Sequence, residues 1–389
     1  MKHYIQRVIE PHLRNVWSHY PVVTVTGPRQ SGKTTLVRTV FPKIPYANLE
    51  HPPTRAFAQD DPEAFLDQFP DNVILDEIQR VPELTSYIQV RVDAAQKNGQ
   101  FILTGSHQYS LRQAINQSLA GRTAILRLLP LSLEELAPVI GQTDPDTLLW
   151  TGTYPRVHTQ RIAPSQAFSD YFETYIERDL RHILNVKNLN QFERFVRLCA
   201  GRVGQLLNLN SLAADAGISQ PTAREWISVL ESSFVIFRLQ PWHSNVAKRY
   251  IKTPKLYFHD TGLAVWLSGV TAPEQLKNHP LRGNFYENLV VSEILKKHEN
   301  TGDNTHLYFY RDQTGNEIDL LIQRGNHHVP IEIKSGQTLS TSWLDRLDWF
   351  QRTFPQQAAS SAILVHPRES NQKRKNLSIT NHWEVHKLV

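Results

Sequence analysis

Up to about Pro130 the chain alternates short apolar runs with longer stretches of helical period. The runs at residues 22–26, 44–49, 73–75, 101–104 and 125–128 are rich in β-branched and aliphatic residues and read as strands. Strands separated by helical crossovers build a parallel sheet, so residues 1–130 are expected to form an α/β core. From Leu131 to about Leu207 the pattern turns helical. It opens at Ser132-Leu133-Glu134-Glu135, where a serine and a glutamate three residues apart form a capping box. Residues 209–219 and 220–230 then give a helix, a turn centred on Gly217 and a second helix, with the strand-like residues 234–239 behind them as a candidate wing. From Pro254 a further α/β pattern begins: a helix around residues 284–295, strands at 307–310, 317–322 and 329–333, another helix, and a strand at 362–365. The predicted architecture is α/β throughout. It comprises a parallel-sheet core (1–130), a helical lid or linker (131–207), a winged-helix-like module (208–253) and a mixed α/β domain (254–389).

The first of these strands runs directly into Gly27-Pro28-Arg29-Gln30-Ser31-Gly32-Lys33-Thr34, and a helix-like segment from Lys33 to Val40, with Thr35 among the candidate nucleotide-binding residues, follows. G-x-x-x-x-G-K-T between a strand and a helix is the phosphate-binding P-loop. Its glycines allow a tight turn whose backbone N–H groups point inward. Lys33 supplies a point charge for the β/γ-phosphates, and the Thr34 hydroxyl is a ligand for Mg²⁺. Some forty residues on, Val73-Ile74-Leu75 ends in Asp76-Glu77. Asp76, at the end of a strand expected beside that of the P-loop, is assigned to the Mg²⁺ shell, and Glu77 to orienting or deprotonating the attacking water. Thr104 or Ser106, closing another buried strand, is expected to sense the γ-phosphate or hold the water, the alternative being a helix cap.

Length and charge bound the rest. A chain of 389 residues exceeds one ordinary core, and 40% hydrophobic content is that of a globular protein. No run approaches the ~18–20 apolar residues of a membrane span. The first seven residues have no apolar signal core, and the lone Cys199 excludes an internal disulfide framework and a Cys-based zinc site. Together these predict a cytoplasmic protein. The net charge of +5 permits binding to nucleic-acid phosphates without demanding it. None of the 17 histidines falls in a metal-binding spacing; His327-His328 is expected at a solvated hairpin tip, and Lys373-Arg374-Lys375 in a solvated turn.

These segments bring out a resemblance to a bacterial AAA+-type ATPase family that pairs a P-loop domain with a C-terminal domain of unknown function. It is carried by the P-loop, Leu75-Asp76-Glu77-Ile78-Gln79, Leu103-Thr104-Gly105-Ser106, Ser118-Leu119-Ala120-Gly121-Arg122, Gly152-Thr153-Tyr154-Pro155, Tyr175-Ile176-Glu177-Arg178-Asp179 and Phe285-Tyr286-Glu287-Asn288. It covers nearly the whole chain and departs at Thr151-Gly152-Thr153, where a Gly-Gly pair is expected. The resemblance implies ATP as nucleotide and Mg²⁺ as cofactor, and the lack of an N-K-x-D segment agrees with ATP. Such enzymes complete the site with an arginine, for which Arg122, Arg156 and Arg178 all stand. Whether it acts within its own subunit or in a neighbour's leaves a homo-oligomer open.

The C-terminal region holds a second acidic set. Glu287 lies on a helix, Asp319 on one strand, and Glu332-Ile333-Lys334 on the next, where Glu332 and Lys334 share a face. This order resembles the core of PD-(D/E)xK nucleases. The resemblance implies Asp319 and Glu332 as metal ligands, Lys334 as catalytic lysine and Glu287 as a supporting acid. The leading expectation is a Mg-dependent ATPase coupled to a nuclease-like domain and acting on DNA. The alternatives are an ATP-controlled switch with an inert nuclease-like fold, and a winged-helix DNA-binding regulator.

Overall fold

A computed structural model describes residues 4–106, 118–175, 189–243, 252–303, 306–336, 342–367, 372–374 and 376–388. The chain divides into two compact units: Met1–Leu131 with Ser232–Phe234 and Glu299–Gly302, and the remainder.

The first unit is built on β1 (Val22–Thr26), β2 (Tyr46–Asn48), β3 (Val73–Asp76), β4 (Phe101–Gly105) and β5 (Thr123–Arg127). All neighbours are parallel, in the order β2-β3-β4-β1-β5. Every residue of β1, β3 and β4 is buried, as a parallel sheet covered on both faces requires. Alternation sends Val73, Leu75, Phe101 and Leu103 to one face, against Phe65, Leu66, Leu84 and Ile88. Ile74, Ile102, Val23 and Val25 go to the other, against Leu13 and Val16 of the helix Glu10–His19 and Leu36 and Val37 of the helix Lys33–Val40. One expectation is corrected here: β3, which carries Asp76, does not adjoin β1, because β4 lies between them. Parallel crossovers can skip a position, and chain order does not reveal which one.

In the second unit the capping box forms as the spacing predicts: Ser132 Oγ accepts from Glu135 N, and Glu135 Oε2 accepts from Ser132 N. The helices Leu209–Ala216 and Gln220–Ser232 meet at Gly217, whose φ of +71° is left-handed. Trp226 seats the second helix edge-on against Phe192 and Phe195. The strand that follows, β6 (Ile236–Pro241), is not a free-standing wing. It pairs with β7 (Lys255–Phe258) and with β8 (Leu307–Arg311), and so joins a larger sheet. With β9 (Glu317–Arg324), β10 (His327–Ile333), β11 (Ala362–Val365), β12 (Gln372–Arg374) and β13 (Leu377–Thr380), its order is β12-β13-β11-β10-β9-β8-β6-β7. The β9–β10 hairpin turns at Gly325-Asn326. His327 and His328 are therefore strand residues rather than a tip, and His328 is buried with its ring 4.8 Å from that of Trp242. Lys373 likewise lies on β12 instead of in a turn, while Lys375 falls outside the described residues.

Candidate nucleotide site and a second acidic cluster

The P-loop is shaped by backbone constraints at both ends. Gly27 has φ +150°, and a Cβ there would lie 2.2 Å from the Leu128 carbonyl oxygen, so no side chain fits. Gly32, in the left-handed region, forms the N-cap of the helix Lys33–Val40 and adds no side-chain cap, leaving that helix's first N–H groups for an anion. Pro28 and Ser31 are buried, Arg29 is half-buried, and Gln30 and Thr35 are exposed. Ser31 Oγ is buried without a hydrogen-bond partner. Lys33 Nζ donates to the carbonyls of Gly27 (3.0 Å) and Pro28 (2.8 Å). Burial pushes its ammonium down to about 8, against the pull of Glu77 and Asp76. A loop with an orphaned hydroxyl, an uncapped helix start and a desolvated ammonium fits a phosphate chain.

Asp76 is 4% exposed. It accepts from Thr34 Oγ1 (2.9 Å), from the Tyr46 hydroxyl (2.6 Å) and from the Thr104 hydroxyl. Burial and this bond to Asp76 raise the Tyr46 phenol, which keeps its proton. Thr104 also accepts from the Glu77 backbone N–H (3.3 Å), so it holds both acids in place rather than capping a helix. Glu77 itself sits at φ +59°, and the Gln79 side-chain amide donates to its carboxylate. Although β4 separates their strands, Thr34 and Asp76 therefore meet above the sheet.

Arg7 has no signature in the sequence. It is buried, and it donates to the carbonyls of Ser31 and Leu129, both at 2.8 Å, bracing the P-loop against the chain leaving β5. A single arginine twenty residues ahead of a motif carries no pattern. Of the candidate arginines, Arg122 makes a two-pronged bond to Asp93 at 2.6 and 2.8 Å. Arg156 donates to Gln160, and Arg178 lies outside the described residues.

In the second unit, Asp319, Glu332 and Lys334 converge. Lys334 Nζ is 3.4 Å from Asp319 and 2.5 Å from Glu332, and Ile333 N donates to Asp319 at 2.8 Å. Glu332 is fully buried; one oxygen also meets Arg346 at 3.4 Å, and the other has no partner. Burial, reinforced by Asp319, pushes Glu332 up to about 7. Glu287 does not complete a ligand set with them. It turns to Lys255 Nζ (2.9 Å) and the Tyr257 hydroxyl (2.5 Å), and Lys255 also reaches Glu317 at 2.6 Å. Against the burial that opposes it, Glu287, Asp319 and Glu317 hold Lys255 well above its usual range. Among the described residues no group of three or more His, Cys, Asp or Glu side chains is arranged to hold a metal. Sequence reading missed Lys255, whose one visible signal is a lysine inside the otherwise apolar and aromatic Lys255-Leu256-Tyr257-Phe258.

At Thr151-Gly152-Thr153 the second expected glycine is replaced to a purpose. Thr153 donates to Asp260 from its backbone (2.6 Å) and its hydroxyl (3.0 Å), and accepts from Lys296 at 3.0 Å. No helix among the described residues is long and apolar enough to cross a membrane.

Residues 19–137 match an AAA domain family, residues 142–274 the domain of unknown function DUF8612, and residues 282–385 the domain of unknown function DUF4143. Uncharacterised proteins of Mycobacterium tuberculosis and Mycobacterium bovis are each 32% identical to this chain over 333 residues, covering 85% of it and 74% of their own length. Among solved structures, a Walker-type ATPase of Pyrococcus abyssi is similar at 15% identity, over 68% of this chain and 96% of its own, with a TM-score of 0.42, a likeness too distant to bear on function.

Proposed function

The chain belongs to the family of AAA-domain proteins that its mycobacterial relatives represent, and on that premise we propose that its first unit binds ATP with Mg²⁺ and hydrolyses it. The observation that carries this is Asp76, a buried carboxylate beside Lys33 bonded by the neutral hydroxyls of Thr34, Tyr46 and Thr104. Lys33 leaves the carbonyls of Gly27 and Pro28 for the β/γ-phosphates, while Ser31 and the N–H groups at the helix start cradle them. Thr34 and Asp76 hold the cation, directly and through its hydration shell. Mg²⁺, when bound there, offsets charge on the phosphate oxygens. Glu77, its backbone fixed by Thr104, accepts a proton from the attacking water. Phosphate release from ATP tests this: Mg²⁺-dependent turnover that Lys33→Ala and Asp76→Asn abolish is expected, and turnover surviving Lys33→Ala refutes it.

For the second unit, Lys255 favours the switch reading over metal-dependent cleavage. An ammonium between Glu287 and Glu317 already supplies the charge a metal would bring. We read this unit as a nuclease-like fold that does not cleave, answering to the ATP state of the first unit, with DNA as the partner to test. Plasmid incubated with Mg²⁺ or Mn²⁺, with and without ATP, is expected to stay intact. Nicking that Lys334→Ala abolishes would restore the nuclease reading.

A further inference from the structure

The chain leaves β3 through an unusual corner. Glu77 adopts a left-handed conformation (φ +59°, ψ +44°), and the short 3-10 turn Ile78–Arg80 follows at once. A non-glycine residue in that region is strained and persists only where its surroundings require it. The corner folds residues 77 and 79 toward each other, which two residues of a regular helix do not do. Gln79 Nε2 thereby donates to the Glu77 carboxylate, and it also lies 3.5 Å from Ser106 Oγ at the end of β4.

The chemistry of the pair fixes which way the amide points. A carboxylate only accepts, so the side of Gln79 that faces Glu77 must be the NH₂ group. The carbonyl oxygen, Oε1, is then left over. It is buried, and it has no hydrogen-bond partner. Buried acceptors are nearly always satisfied, and one left open beside a candidate general base is available to an incoming donor. The O–H of a water held against Glu77 is a donor of the kind this oxygen lacks.

We propose that Gln79 is a positioning residue for ATP hydrolysis: its Nε2 holds the Glu77 carboxylate in one orientation, and its Oε1 accepts one O–H of the attacking water while Glu77 takes the proton of the other. Gln79 itself neither gains nor loses a proton. Its second donor contact, to Ser106, ties this arrangement to the end of β4, so the water's position depends on two strands and not on the corner alone. The inference rests on Glu77 acting as the base, and the experiment separates the two.

Steady-state ATP hydrolysis and equilibrium binding of a fluorescent ATP analogue are measured for wild type, Gln79→Leu, Gln79→Glu, Glu77→Gln and the Glu77→Gln/Gln79→Leu double variant of the full chain. Gln79→Leu is expected to lower kcat by about 10²-fold, with KM and analogue affinity within about twofold. Gln79→Glu keeps the size of the side chain and sets a second carboxylate against Glu77, so it falls equally even if the leucine variant folds poorly. In the Glu77→Gln background, adding Gln79→Leu is expected to cost less than about twofold, because both act on one water. An unchanged kcat in both Gln79 variants overturns the proposal. So does a KM that rises in proportion to the loss, or a full additional loss in the double variant, as a purely structural role would give. If Glu77→Gln turns over like wild type, the assignment of the base fails first and takes this inference with it.

Discussion

Asp76 and Glu332 are both almost wholly buried carboxylates near the ends of strands, yet the groups around them differ in kind. Asp76 is solvated by three hydroxyls, from Thr34, Tyr46 and Thr104. Glu332 and its neighbours Asp319, Glu287 and Glu317 are met by Lys334, Arg346, Lys255 and Arg311. Hydroxyl donors stabilise a buried charge without cancelling it, so the field of Asp76 remains available to an incoming cation. Ammonium and guanidinium groups offset part of the charge inside the fold, and on the reading proposed above the acids then serve the fold and not a metal. Two acidic clusters that look alike as residue lists are thus prepared for different work.

The largest expected effect lies on catalysis. Asp76→Asn should lower Mg²⁺-dependent ATP turnover on the order of 10³-fold, whereas Asp319→Asn should leave it within about twofold. Equal losses in a phosphate-release assay would break the distinction. Next comes stability. Lys255→Met strands buried carboxylates and should cost about 3–5 kcal/mol in urea unfolding, while Thr104→Val, removing one neutral donor, should cost about 1–3 kcal/mol. Equal costs would mean that ionic and neutral solvation are not doing different things here.

Titration gives a finer test. Glu332 is raised from 4.5 to about 7 in the folded state, so between those values the native protein binds more protons than the unfolded chain. Its contribution therefore falls as pH rises through that window, by at most about 1.4 kcal/mol per pH unit. Glu332→Gln should flatten this part of the stability profile in chemical denaturation, and a profile unchanged by the substitution would mean that Lys334 and Arg346 outweigh the burial and the Asp319 charge that raise Glu332. The smallest effect concerns nucleotide affinity. Burial brings the Lys33 ammonium down to about 8, and phosphates favour its charged form. ATP affinity should be flat below pH 8 and weaken above it, by at most about tenfold per pH unit. A binding curve that does not change up to pH 9.5 would separate Lys33 from the phosphates.

Much of the first unit was legible because its signals are local. The strand into Gly27, the helix from Lys33 to Val40 and the apolar run ending in Asp76 each announce themselves within ten residues. The insertion of β4 between β1 and β3 was not legible, since a crossover helix looks the same whether it returns beside its strand or one place beyond. The strand after the helix-turn-helix was visible as a strand, but its incorporation through β8 depends on partners some seventy residues away. Lys255 was hidden for a related reason: a lone lysine in an aromatic strand gains its meaning only from Glu287 and Glu317, which the fold brings to it. Arg7 is the same case at the P-loop, a brace whose two carbonyl partners have no sequence signature at all.

The close approach of Gly27 to the Leu128 carbonyl has a bearing on how such motifs persist in descent. The obstacle is backbone, so no exchange of side chain at position 128 can make room for a larger residue at 27. The constraint comes from the sheet and not from the nucleotide. A descendant that had lost Lys33 and Asp76, and with them every use for ATP, would still keep a glycine at this position. The first glycine of the motif is a fossil of the fold, and Lys33, Asp76 and Glu77 report whether the chemistry is alive.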